Sequence, residues 1–226
     1  MTTIPQNVPS YKKVTLDIET RAPWLPDETK RRLADFKRPK ALKKPESIEK
    51  WNDAFVEGSE AYSRLALDPL FADIISIAVK LDYGDVVCWV DNPDDDDCPI
   101  DYFARWLAPI VTTNPFLLIG HNVIGFDAPI LWEHLNRYGH NAMANILRPR
   151  GRYKSKQFYD TMLEYPGDKF LSLKALALAH GWDTIDGFGG ADVAAAWDEG
   201  RYDDISRYNS LDVELTWKLY KYLELG

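Results

Sequence analysis

The chain predicts an α/β fold, and three observations carry that prediction. Short apolar runs bounded by turn residues alternate with segments whose apolar residues recur at helical spacing. No internal repeat interrupts the alternation. The length of 226 residues holds one well-packed domain with an insertion and is short for two. The expectation is therefore a single domain, 1–226, interrupted by an insertion at 21–68.

Val14-Thr15-Leu16-Asp17-Ile18-Glu19-Thr20 is the first strand, and it carries two carboxylates one residue apart. Side chains alternate faces along a strand, so Asp17 and Glu19 point the same way. Like charges that close raise each other's pKa unless a cation sits between them. A divalent ion with oxygen ligands, Mg²⁺ or Mn²⁺, is the economical solution near neutral pH.

The insertion begins with a helix whose first turn is acidic, Asp27-Glu28-Thr29-Lys30, with Asp27 as its cap. Lys37 to Pro45 is basic and broken by prolines, hence an extended loop. A second helix opens at Ser47 and runs toward Leu67. Between Thr29 and Lys50, nine Lys/Arg face three Asp/Glu, a local charge of +6 in a chain of net charge −8. Such a run is either a solvated surface or an arm for a nucleic-acid backbone, with Trp51 or Phe36 for stacking. Lys37, Arg38, Lys40, Lys43 and Lys44 are the candidate contacts.

Ile74–Leu81 and Val86–Val90, joined by Asp82-Tyr83-Gly84-Asp85, read as a hairpin. Four aspartates at 94–97 lack the spacing and glycine of a calcium loop and read as a solvated turn. Asp101–Val111 has helical spacing, and Phe116–Gly120 is the fourth strand. It runs into His121-Asn122-Val123-Ile124-Gly125-Phe126-Asp127 and then a helix with Pro129 in its first turn. A further helix spans Ser172–His180. Asp186-Gly187-Phe188-Gly189-Gly190 lacks the order of a phosphate loop and reads as a flexible connection. The last helix, Asp204–Leu223, places Tyr208 and Asp212 four residues apart on one face.

Cys88 and Cys98 are too few for a disulfide framework or a zinc site, which points to a reducing, cytoplasmic setting. No apolar run reaches membrane-spanning length, and Met1–Ser10 lacks a charged-then-apolar leader pattern. No membrane partner is expected. The acidic net charge disfavours nucleic acid only until metal ions and the basic segment are counted.

Three element ends thus offer carboxylates: Asp17 with Glu19, Asp127, and Asp212. L-D-I-E-T, H-N-V-I-G-F-D and Y-N-S-L-D, in that order, resemble the three motifs of DEDD-type 3′→5′ exonucleases. The tyrosine four residues before Asp212 resembles the DEDDy branch, which includes the proofreading domains of family B DNA polymerases. The sister branch has a histidine where Arg207 stands. Ser172-Leu173-Lys174-Ala175-Leu176-Ala177 is similar to the segment that precedes the third motif. The resemblance spans roughly Lys13–Thr20 and Ile74–Leu223 and leaves the insertion outside.

The resemblance implies a ribonuclease H-like fold, a mixed five-stranded sheet flanked by helices, with a helical, basic insertion after the first strand. It implies two divalent cations, Mg²⁺ or Mn²⁺: one on Asp17, Glu19 and Asp212, the second mainly on Asp17 and Asp127. Tyr208 would orient the attacking water, and nucleoside 5′-monophosphates would leave. Asn122 and Phe126 match positions that hold and stack the strand end, and Thr20 a contact to the terminal nucleotide. Lys154, Lys156 and Lys174 are either phosphate contacts or plain surface lysines. The expected substrate is single-stranded DNA or frayed DNA 3′ ends, in a bacterial or phage-infected cell, with a replication or repair protein as a further candidate partner. The chain has no room for a polymerase. RNA trimming of the ribonuclease D kind shares the same motif, and a binding module without catalysis is the alternative from another class. None of the five key residues that such a module would lack is missing.

Overall fold

The computed structural model describes residues 11–56, 58–113, 115–149, 157–167 and 170–225. Lys154, Lys156 and the segment 1–10 lie outside the described residues. In chain order the elements are β1 (Lys12–Arg21), α1 (Asp27–Lys37), α2 (Pro45–Ala54), α3 (Glu60–Ser63) and a 3₁₀ turn (Arg64–Leu67). There follow β2 (Asp73–Leu81), β3 (Val86–Val90), α4 (Pro99–Thr113), β4 (Phe116–Gly120), α5 (Asp127–Arg137) and α6 (Asn141–Ile146). The chain closes with β5 (Phe158–Asp160), α7 (Thr161–Glu164), α8 (Leu173–Ala179), α9 (Val193–Asp198) and α10 (Tyr202–Leu225).

Two compact units emerge: β1 as far as Glu19 with everything from Ile74 onward, and Thr20–Asp73. The first holds a five-stranded mixed sheet in the order β3-β2-β1-β4-β5. β2 and β3 pair antiparallel, whereas β1 with β4 and β4 with β5 are parallel. β2 is buried along nearly its whole length, from Ile74 to Lys80, as a central strand covered on both faces must be. Along β1 the pattern alternates from Leu16 on: Leu16, Ile18 and Thr20 are buried, and Asp17 and Glu19 are half-buried. The strand period therefore puts both carboxylates on one side.

α10 lies over this sheet. Ile205 joins Ile75, Val193 and Ala196 in one apolar cluster, and Trp217 and Tyr220 join Ile119 in another. Lys80 on β2 donates to Glu214 on α10 at 2.7 Å from an almost fully buried side chain. A charge taken that far from water needs its partner in place, so the pair ties α10 to β2.

The second unit has its own core of Leu33, Ala34, Phe55, Tyr62 and Leu65. Tyr62 buries its ring there and donates its hydroxyl to the Pro23 carbonyl at 2.6 Å. Three local readings need correction. Asp27 does not cap α1: Pro26 holds that position, and Asp27 is the first helical residue. The second helix starts at Pro45 rather than Ser47, a first-turn position that proline favours. It also stops at Ala54 instead of running to Leu67, because Phe55 turns into the core and Gly58 takes a left-handed φ of 81°. Ser59 then restarts the chain as a cap, accepting from the Tyr62 amide at 3.2 Å.

β5, α6, α7 and α9 were not anticipated from residue patterns. The segment Asp186–Gly190, read as a bare connection, forms a turn closed by the Gly189 amide on Asp192 Oδ2 at 2.9 Å. No helix among the described residues is long and apolar enough to cross a membrane.

Candidate active site

Two elements of the first unit converge. β1 brings Asp17 and Glu19, and α10 brings Asp212. One carboxylate oxygen from each lies within 4.8 Å of the others. Burial is the largest influence on all three and lifts each above the ordinary carboxylate range. Neighbouring negative charges push Asp17 and Glu19 the same way: Asp127 and Asp212 act on both, and Glu19 on Asp17. Asp212 is pushed up to about 6, moderated by a hydrogen bond from Tyr208 and by the charge of Lys174. A site that assembles carboxylates, with no cation among the described residues to offset Asp17 and Glu19, suits a divalent ion, which would allow all of them to ionise.

Asp127 stands at the first turn of α5 and is almost fully buried. It is not one of the three oxygens above. Its Oδ1 accepts from the Ile18 amide at 3.1 Å, which ties the start of α5 to the middle of β1. Burial pushes its carboxyl up to about 7 despite that bond. Its negative charge is felt at both Asp17 and Glu19.

The loop that delivers Asp127 is held by a residue that sequence reasoning missed. Asp160, at the end of β5 and buried, accepts from the amides of Asn122 (2.9 Å), Ile124 (3.0 Å) and Met162 (3.1 Å). Asn122 sits in the left-handed region at φ 65°, which asparagine tolerates better than most residues. Its side chain fills the space over Gly125, where an added Cβ would meet Asn122 Oδ1 at 2.4 Å. The missing Cβ lets that side chain lie close over the Gly125 backbone. His121 is a positioning residue and not a ligand: Nδ1 meets Thr161 Oγ1 at 3.0 Å and Nε2 meets the Leu171 carbonyl at 2.9 Å. Phe126 and Asn122 both remain half-buried beside Asp127.

Tyr208 lies one helical turn before Asp212 and donates its hydroxyl to that carboxylate. Burial first, then the charges of Asp212, Glu19 and Asp17, push the phenol well above its usual range. The phenol is thereby held in its protonated, donating form toward Asp212, which suits a group that orients a partner. Its ring packs against Phe188 at 5.4 Å between centroids. A cavity of about 160 Å³ opens beside these groups, lined among others by Leu173, Lys174, Ile185, Phe188, Tyr208 and Asp212. Ser172 caps α8, accepting from the Ala175 amide at 3.3 Å, and so sets the wall of that cavity.

The remaining candidates belong to the second unit. Thr20 is nearly buried, and its hydroxyl donates to the Ala66 carbonyl at 2.7 Å. Lys37 is ion-paired with Asp68 and lies 5.0 Å from the Phe71 ring, and Arg38 pairs with Asp35 at 3.1 Å. Lys40, Lys43 and Lys44 are exposed. Trp51 is not a free stacking surface, since Nε1 donates to the Ala34 carbonyl and the ring packs on Phe55. Phe36 is 76% exposed and remains one.

Residues 69–225 match a family described as "Predicted 3'-5' exonuclease related to the exonuclease domain of PolB". No curated protein matches the sequence. Among solved structures, the chain is similar to the family B DNA polymerase from the hyperthermophilic archaeon Pyrobaculum calidifontis, with a TM-score of 0.57 and 19% identity. That match covers 95% of this chain and 25% of the polymerase, so the chain spans about a quarter of that protein's length. At this identity the likeness establishes the fold alone, a mixed five-stranded sheet flanked by helices.

Proposed function

Because the chain belongs to the family of predicted 3′–5′ exonucleases related to the exonuclease domain of PolB, we propose that it hydrolyses DNA from the 3′ end, acting on single-stranded or frayed termini. The observation that carries this reading is the convergence of the Asp17, Glu19 and Asp212 oxygens within 4.8 Å, with Tyr208 bonded to Asp212. Two divalent cations, Mg²⁺ or Mn²⁺, are the proposed cofactors. Asp17, Glu19 and Asp212 would hold one, and Asp17 with Asp127 the other. When bound, such ions make an ionised water available near neutral pH and offset charge on the departing oxygen.

The chain's own residues do the rest. Asp127, its orientation set by the Ile18 amide, adds its negative charge to that of the cluster. The Tyr208 hydroxyl orients the attacking water beside Asp212. Water adds to the terminal phosphorus as the bond to the 3′ oxygen breaks. That oxygen takes up a proton, and a nucleoside 5′-monophosphate is released. The cavity lined by Leu173, Ile185 and Phe188 takes the terminal nucleoside, with Lys174 toward its phosphate. Asn122 and Phe126 hold and stack the strand end.

The test uses matched labelled DNA and RNA oligomers with Mg²⁺ or Mn²⁺. Stepwise release of mononucleotides from DNA, abolished by EDTA, is expected. Faster trimming of RNA would move the substrate to the ribonuclease D kind, because the choice of sugar rests on contacts to the 2′ position. Binding without release would leave a nucleic-acid-binding module.

The basic stretch of the insertion is proposed to hold the strand's backbone. Lys37 and Arg38 already have acidic partners, so Lys40, Lys43 and Lys44 carry most of this role. Replacing those three by alanine should weaken single-strand binding and flatten its salt dependence. Each lost phosphate contact reduces the log–log slope by about 0.7, or roughly 2 for all three. A slope that does not change means that the stretch is only a solvated surface.

A further inference from the structure

We propose that Asn209, on α10, is a positioning residue that fixes the Asp17 carboxylate for cation binding. The proposal rests on the reading of Asp17, Glu19 and Asp212 as a metal site. Asn209 is fully buried, next to Tyr208 in the chain but turned to a different side of the helix. Its amide must satisfy two different neighbours. With its oxygen accepting from Ser76 Oγ at 2.8 Å, its nitrogen stands 3.3 Å from both Asp17 Oδ2 and the Asp17 carbonyl, and donates to them. The reverse orientation would aim a carbonyl oxygen at a carboxylate and a second carbonyl, an arrangement with no hydrogen to share.

That choice orients a longer chain. Ser76 has one hydroxyl proton, and it goes to Asn209. Cys88 Sγ, 3.3 Å from Ser76 Oγ, is then the donor to serine. The hydrogen bonds run one way, from Cys88 on β3 through Ser76 on β2 and Asn209 on α10 to Asp17 on β1. Four elements are linked, and every donor has an acceptor, as a buried polar network requires. The chain ends on the residue proposed to serve both ions. Two weak donations from one amide to the carboxylate and the carbonyl of the same residue fix the Asp17 side chain against its own backbone. Partners of this kind orient a ligand without touching the metal.

The experiment is calorimetric titration of Mn²⁺ into the full chain, alongside melting in EDTA, for wild type, Asn209→Leu and Ser76→Ala. Leucine keeps the volume and removes both donations. Asn209→Leu is expected to bind Mn²⁺ about 10- to 100-fold more weakly, the usual cost of losing such a partner. Ser76→Ala, which removes the anchor on the amide oxygen and lets the amide tilt away from Asp17, should weaken binding in the same direction by less. Wild-type affinity in a folded Asn209→Leu chain overturns the role of Asn209 alone. If that variant does not fold, unchanged affinity in Ser76→Ala overturns it equally. A wild-type chain that binds no Mn²⁺ overturns the metal-site reading, and this proposal with it.

Discussion

Replacing Asp17 by alanine is expected to abolish metal-dependent hydrolysis while raising the melting temperature of the metal-free chain. The loss of activity should be at least about 10³-fold, the equivalent of about 4 kcal/mol in the transition state. Asp17 is proposed to serve both cations, so its removal takes a ligand from each. The gain in stability has a separate cause. Burial first, and then the negative charges of Asp127, Glu19 and Asp212, push the Asp17 carboxyl well above the ordinary range. An ionised carboxylate there strains the fold when no cation is present.

The sign of the pH dependence follows from the same directions. Asp212 stands at about 6 and Asp127 at about 7, both above the ordinary 3.8. Groups with raised pKa bind protons more tightly in the folded chain than in the unfolded one. Their protonated forms favour folding fully below 3.8, and that advantage is lost as pH rises through about 6 and 7. The melting temperature of Asp17→Ala minus that of wild type, in EDTA, should therefore grow from about pH 5 to pH 8. Each kcal/mol relieved moves the midpoint by roughly 2–4 °C in a chain of this size. Saturating Mn²⁺ should reverse the order, since only wild type keeps the full ligand set. A variant that melts below wild type in EDTA at pH 8 would mean that Asp17 stabilises the empty cluster, against the electrostatics above.

The parts of the site that could be read from sequence are those governed by local periodicity. The two-residue period of β1 puts Asp17 and Glu19 on one side, and the helical period of α10 aligns Tyr208 with Asp212. The parts that could not be read depend on neighbours distant in the chain. β5 is three residues long and is a strand because β4 lies beside it, through Leu118 with Phe158 and Gly120 with Asp160. Nothing in Phe158-Tyr159-Asp160 announces that pairing, so Asp160's hold on the Asn122 loop stayed hidden. Asn209 was passed over because its partners, Ser76 and Asp17, sit on two strands far away in sequence. Phe188 lay in a glycine-rich stretch that suggested only a connection, yet its ring backs Tyr208. In the insertion, counting charges overstated what is available, because Asp68 and Asp35 already occupy Lys37 and Arg38.

Tyr208→Phe is expected to slow turnover by about ten- to a thousand-fold, the range of a positioned proton-handling group, and to leave the fold in place. Phenylalanine keeps the ring that packs against Phe188, so only the hydroxyl is tested. Loss of one hydrogen bond to a charged acceptor costs about 1.5–3 kcal/mol at most, and less here because Tyr208 and Asp212 are only half-buried. The informative readout is the acid limb of the rate profile. The Tyr208 hydroxyl lowers the Asp212 pKa against the rise that burial causes. Without it Asp212 holds its proton to higher pH, so the acid limb should move upward in Tyr208→Phe. A phenol acting as a base would behave differently: its removal would erase an alkaline limb. The raised phenol pKa favours the protonated, orienting role over that one. Slower turnover with an upward shift of the acid limb assigns Tyr208 to orienting water beside Asp212. Slower turnover with an unmoved limb would separate the hydroxyl from Asp212, and unchanged turnover would take Tyr208 out of the mechanism.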